Sequence, residues 1–223
     1  MRRRWPWVAL TGLMALLAGC QTPPPTSPEA VGEFRKGSGY LNGYLPPKQL
    51  PNSLALLPPP PAPNSVQAAA DMETYKATRA LRDTPRWALA AKDAELKFPA
   101  AASAFACSLN IPISQEGTPN LNMLLRRTLL DAGLATYAAK DKYNRQRPFV
   151  VTGDATCTPA EQPALAKDGS YPSGHSSIGW PGRWCWCRPR RRTWTRCCSA
   201  AMPSARAGWS AVCTGKAMSM PAA

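Results

Sequence analysis

The chain has 223 residues, with 27 Lys or Arg against 13 Asp or Glu, a formal charge of +14 and a pI near 9.8. Hydrophobic residues make up 44%, enough for a packed core, so full disorder is excluded. Only the extreme N-terminus has an apolar run near membrane length, so a polytopic membrane protein is excluded as well. The charge is uneven. Residues 180–223 hold eight Lys or Arg, no acid, five of the eight Cys and five of the eight Trp. A basic balance would suggest nucleic acid only by averaging two unlike segments, so no nucleic-acid partner is expected. The sequence holds one histidine, His175, and chemistry that needs two cannot be complete in it.

In chain order, Arg2, Arg3 and Arg4 precede an apolar stretch from Trp5 to Leu17, which ends in Leu17-Ala18-Gly19-Cys20. A positive start and a short apolar run read as an export signal. Leu-Ala-Gly-Cys resembles the lipobox of bacterial lipoproteins, which implies acylation of Cys20, a lipid anchor in a membrane and a mature protein in the oxidising periplasm. Gln21 after Cys20 implies the outer membrane by the same resemblance. Residues 21–64 hold twelve prolines and read as a tether whose later part, Tyr40 to Leu57, can lie across a domain surface.

From Ala68 the pattern is helical. Asp71 to Arg82 predicts one helix, with Asp71 as N-cap or first-turn acid, and Asp83-Thr-Pro85 breaks it. Arg86 to Phe98 predicts a second helix and Ala100 to Leu109 a third. Asn120 is placed to cap a long helix from Leu121 to about Tyr143, with Leu121, Leu124, Leu125, Leu129, Leu134 and Tyr137 at near-helical spacing. No run alternates as a strand would, so the expected fold is all-α. Cys107 and Cys157 are candidates for a disulfide, and their pairing is left open.

Two clusters carry chemistry. The first runs from Lys140 through Arg147 to Pro148, K-x-x-x-x-x-x-R-P; the second is Gly169-Ser170-Tyr171-Pro172-Ser173-Gly174-His175-Ser176-Ser177. Lys140 and Arg147 are expected to end a helix that Pro148 stops, which fixes where Arg147 points. A guanidinium offers a planar fork to two phosphate oxygens, and the lysine adds a point charge. Ser173 can give a hydroxyl, and Gly174 an open backbone N–H, to an anion at a helix start. His175 can give a proton near neutral pH. Taken singly, cations at a helix end complement the dipole, a lone His is structural, and a Ser-Gly pair is a turn. Their ordered conjunction points to an oxyanion cradle with a general acid.

On these residues the chain resembles the bacterial class A non-specific acid phosphatases of the phosphatidic acid phosphatase type 2/haloperoxidase superfamily. Tyr44-Leu-Pro-Pro47, Leu54 to Pro61 and Thr78-Arg-Ala-Leu81 are similar to the N-terminal half of that class, and the likeness covers about Tyr40 to Trp180. The resemblance implies an α-helical bundle of the acid phosphatase/vanadium haloperoxidase type. It also implies hydrolysis of small phosphate monoesters through a phosphohistidine, without metal or cofactor. In it Lys140, Arg147, Ser173 and Gly174 bind phosphate and His175 protonates the leaving alcohol. A homo-oligomer is left open. The alternatives are a non-catalytic phosphate-binding envelope lipoprotein and a lipid phosphatase of the wider superfamily.

The family's third motif, Ser-Arg, five residues, His, three residues, Asp, is missing, and with it the nucleophile. An off-frame tail explains this. Taking the third base of each codon with the first two of the next, Trp180 into Pro181 forces Ala, and Trp184 into Cys185 forces Val. Arg206 to Met218 permits Ser-Arg-Val-Val-Cys-Gly-Val-His-Trp-Gln-Ser-Asp, although the His position equally permits Tyr. The bundle is therefore expected to be incomplete at the C-terminus and the chain inactive. The expected organisation is a signal peptide over 1–19, a lipidated Pro-rich arm over 20–66, a partial helical domain over 67–180 and an off-frame, poorly packed tail over 181–223.

Overall fold

Capping side chains and prolines set the local structure. The computed structural model describes residues 23–104, 106 and 111–179. Helix α1, Pro28–Val31, starts where the Ser27 hydroxyl accepts the Ala30 N–H, and α2, Ser53–Leu56, where the Asn52 side chain accepts that of Leu54. Helix α3, Val66–Arg79, is capped by Ser65, which accepts the Ala68 N–H. Helix α4, Pro85–Ala94, is capped by Thr84 with Pro85 in its first turn. Then follow α5, Pro119–Leu134, α6, Tyr137–Tyr143, α7, Pro148–Thr152, α8, Gln162–Leu165, and a helical stretch over 174–179. The described residues form no strand; an isolated bridge pairs Glu33 with Leu41. The all-α expectation stands. Among the described residues no helix is long and apolar enough to cross a membrane. Cys20, the expected signal peptide over 1–19 and the tail from residue 180 lie outside the described residues, as does Cys107.

Several expected boundaries are corrected. Asp71 does not open α3. The helix begins five residues earlier, at Val66, and Asp71 is buried inside it, its carboxylate 2.8 Å from the Arg145 guanidinium. The second helix stops at Ala94, well short of Phe98. Ala100–Ala102 is a 3-10 turn that leads into helical residues 103 and 104.

The expected long helix from Leu121 to Tyr143 is two helices. Thr118, not Asn120, is the residue before the first turn. At the break, the Thr136 N–H (3.2 Å) and its hydroxyl (2.7 Å) both donate to the Gly133 carbonyl, which tightens the last turn of α5. The new axis changes which residues face inward. Leu125 and Leu129 are buried, whereas Tyr137 is 44% exposed.

Side chains far apart in sequence fasten these elements. Ala102, Ile113 and Leu125 form one buried cluster with Phe98 and Leu121 against it. Ala90 and Ala94 form another, against which Trp87 and Cys157 pack; Cys157 is disulfide-bonded. Tyr75 is fully buried, and its hydroxyl donates to the Asp154 carboxylate at 2.7 Å. Residues 42–58 lie on α5 and α6. Asp131 accepts the Tyr44 N–H at 2.8 Å, Arg127 donates to the Gly43 carbonyl at 2.7 Å, and Ser53 Oγ accepts the Ala139 N–H at 3.0 Å.

Candidate functional site

Two short segments meet at the end of α6. Asn144 adopts a left-handed conformation, φ 38° and ψ 43°, and stops the helix there. This corrects the expectation that Pro148 stops it. Lys140 is inside α6, whereas Arg147 lies beyond it, extended at φ −76° and ψ 141°, as a residue before proline prefers. Pro148 is the first residue of α7. The spacing of seven therefore joins a helical lysine to a loop arginine through a turn.

Residues 168–170 run past that turn like a strap. The Ser170 N–H donates to the Arg145 carbonyl at 2.8 Å, and its hydroxyl to the Gln146 carbonyl at 3.2 Å. Position 169 has to be glycine, since a Cβ there would lie 2.9 Å from the Lys140 carbonyl oxygen. This approach brings both cations onto the strap. Lys140 Nζ donates to the Gly169 carbonyl at 2.5 Å and lies 3.3 Å from Asp168 Oδ2. Arg147 donates from Nε to the Asp168 carbonyl at 2.9 Å and from Nη2 to the same Oδ2 at 2.5 Å.

The Lys140 and Arg147 side chains are 3% and 1% exposed, against 30% for Asp168. Burial pushes both cations below their ordinary pKa, and the Asp168 carboxylate opposes that shift. Two cations sharing one carboxylate keep a local excess of positive charge, which suits a second anion.

The second cluster enters a helix, as its sequence predicts. The Ser173 hydroxyl accepts the Ser176 N–H at 3.3 Å, and the Ser173 carbonyl accepts the Ser177 N–H at 3.1 Å, so Ser173 caps the stretch 174–179. A Cβ added at Gly174 would meet nothing within 4 Å, so that backbone is open to approach. His175 Nε2 lies 3.1 Å from the Ala94 carbonyl; a carbonyl only accepts, so this contact puts the ring proton on Nε2. The ring lines a small cavity with Asp93, Glu95, Leu96, Leu129 and Ile178. Burial raises the Asp93 carboxyl above the usual carboxylate range, against the pull of Arg86. Lys140 and Arg147 thus meet at Asp168 and Gly169, while this His175 contact runs to α4. Tyr171 links the strap to the N-terminal arm, its hydroxyl donating to the Pro58 carbonyl at 2.9 Å.

Asp168 was not foreseen from sequence. Its signal was adjacency alone, a carboxylate directly before the Gly169-Ser-Tyr block. Among the described residues, no group of three or more His, Cys, Asp or Glu side chains gathers as metal ligands would.

The sequence around these clusters is similar to known proteins. The family model described as the PAP2 superfamily matches residues 122–216, a span that includes both clusters. It is similar to a non-specific acid phosphatase of Providencia stuartii, 47% identical over 138 residues, covering 61% of this chain and 56% of that protein. An acid phosphatase of Zymomonas mobilis is 39% identical over 127 residues, covering 57% and 48%. A non-specific acid phosphatase of Salmonella typhimurium is 37% identical over 134 residues, covering 60% and 54%. The chain thus spans about half the length of these curated relatives.

Proposed function

We propose that this chain derives from a periplasmic acid phosphatase that hydrolyses phosphate monoesters, and that as written it binds phosphate without turning it over. The observation that carries the reading is the pair of buried cations, Lys140 and Arg147, held against the strap that leads into Ser173, Gly174 and His175. The identities to named acid phosphatases support it. In this reading Lys140 and Arg147 bind two phosphate oxygens, and the Ser173 hydroxyl and Gly174 N–H take a third. His175 protonates the departing alkoxide. A second histidine would attack phosphorus as the P–O ester bond breaks, and water would then release phosphate from the phosphohistidine. The sequence holds His175 alone, so that step has no nucleophile. We attribute the loss to a change of reading frame after Trp180. Cys20 is the proposed lipid anchor, in the outer membrane.

Purified protein of this sequence and its frame-restored counterpart, assayed with p-nitrophenyl phosphate, test the proposal. The restored chain is expected to turn over and the present one is not. Turnover by the present chain overturns the proposed inactivity. A folded restored chain without turnover overturns the phosphatase reading.

A further inference from the structure

The strap raises a question of occupancy. Lys140 and Arg147 are sealed from solvent, and the carboxylate of Asp168, itself 30% exposed, lies against both of them beside the neutral Gly169 carbonyl. We propose that Asp168 is an internal counter-anion in the phosphate site, and that an incoming phosphate group must displace its carboxylate. The inference rests on the phosphate-cradle reading above and adds a residue that sets the affinity of that cradle.

The bonding pattern fits a replaceable anion. Arg147 Nε is held by the Asp168 backbone carbonyl, and Lys140 Nζ by the Gly169 carbonyl. These backbone bonds keep both cations aimed when the carboxylate leaves. What the carboxylate itself takes, at Oδ2, is one N–H from Arg147 Nη2 and the Lys140 ammonium at the edge of reach. A phosphate dianion offers more oxygens and more charge to the same two donors. Its apparent affinity is reduced by the fraction of molecules in which Asp168 is in place, as for any site closed part of the time. Asp168 also prevents two buried cations from facing each other uncompensated when no substrate is bound.

Binding of inorganic phosphate to the full chain, measured by titration calorimetry at fixed salt, tests this. The comparison is between the parent, Asp168→Asn and Arg147→Ala. Asparagine keeps a hydrogen-bond acceptor of the same shape and removes the charge. Asp168→Asn is expected to bind phosphate about tenfold more tightly than the parent, and Arg147→Ala not to bind. Equal or weaker binding by a folded Asp168→Asn protein overturns the role of Asp168 and leaves the cradle standing. Absence of binding in both the parent and a folded Asp168→Asn protein, or undiminished binding in Arg147→Ala, overturns the cradle, and this inference with it. If circular dichroism shows that Asp168→Asn does not fold, a structure of the parent with phosphate decides. A carboxylate moved off Arg147 supports displacement, and one still bridging both cations beside a bound phosphate overturns it.

Discussion

Lys140 shows what a buried cation costs one residue at a time. Its side chain is 3% exposed, and burial, more than any neighbour, holds its pKa below 10.5. Between the lowered folded value and the unfolded one, the unfolded chain binds a proton that the folded chain does not. Stability contributed by this group therefore rises as pH climbs through that window toward 10.5. Below the window the charged lysine is held in place by Asp168 and the Gly169 carbonyl, with a weaker pull from Asp141. Lys140→Met is expected to remove this rise. Urea midpoints of the two proteins, followed from neutral to alkaline pH, should draw apart, with the parent gaining relative to the variant. Parallel profiles would mean that Lys140 is as well solvated in the fold as out of it. The role of Lys140 as a candidate was legible in the sequence because its partner motif is local. The role of Asp168 was not, since it depends on contacts across 21 and 28 residues that no spacing rule encodes.

At the level of elements, the apolar stripe through Leu121, Leu125 and Leu129 found α5, and a stripe cannot see a break that keeps the helical period on either side. Gly133 and Thr136 supply that break, through two hydrogen bonds to one carbonyl. The start of α3 was missed because Ser65, its cap, follows a run of prolines that reads as tether. The same α5 carries a device that sequence does not announce. Arg127 and Asp131, one turn apart, grip residues 42–45, with the Arg127 guanidinium 3.9 Å over the Tyr44 ring. A Cβ at Gly43 would lie 1.8 Å from Asp131 Oδ1, and that carboxylate is held by the Tyr44 N–H, so neither side can yield alone. Gly43→Ala is expected to cost about 1–3 kcal/mol. Asp131→Ala should cost about 0.5–1.5 kcal/mol through its lost hydrogen bonds, whose exposed N–H donors turn to water. The double variant should cost less than the sum, because the clash has lost its partner. Chemical denaturation of all four proteins checks the cycle, and simple additivity would rule out the grip.

For the whole molecule, the compositional break near Trp180 raises the question of how many residues belong to one folded unit, and the cysteines can answer it. Cys157 is disulfide-bonded and packs on the Ala90–Ala94 cluster, so one half of a bridge sits in the loop after α7, against α4. Cys157 is the one cysteine among the described residues, and with Cys20 set aside as the proposed lipid anchor, Cys107 and five cysteines beyond Trp180 are the other candidates. If the tail is off-frame, nothing in it was selected to meet Cys157, and the bridge should run to Cys107, within the helical domain. A bridge of that kind restricts the unfolded chain, and reducing it is expected to cost about 2–5 kcal/mol. Thermal unfolding with and without dithiothreitol should therefore show a clear drop, equal in the full chain and in one ended at Trp180. Peptide mapping without reduction identifies the partner. A peptide joining Cys157 to Cys107 fits a domain that is complete in its own disulfide without the tail. A peptide joining Cys157 to Cys185, Cys187, Cys197, Cys198 or Cys213 would make the tail a working part of the fold and overturn the off-frame reading.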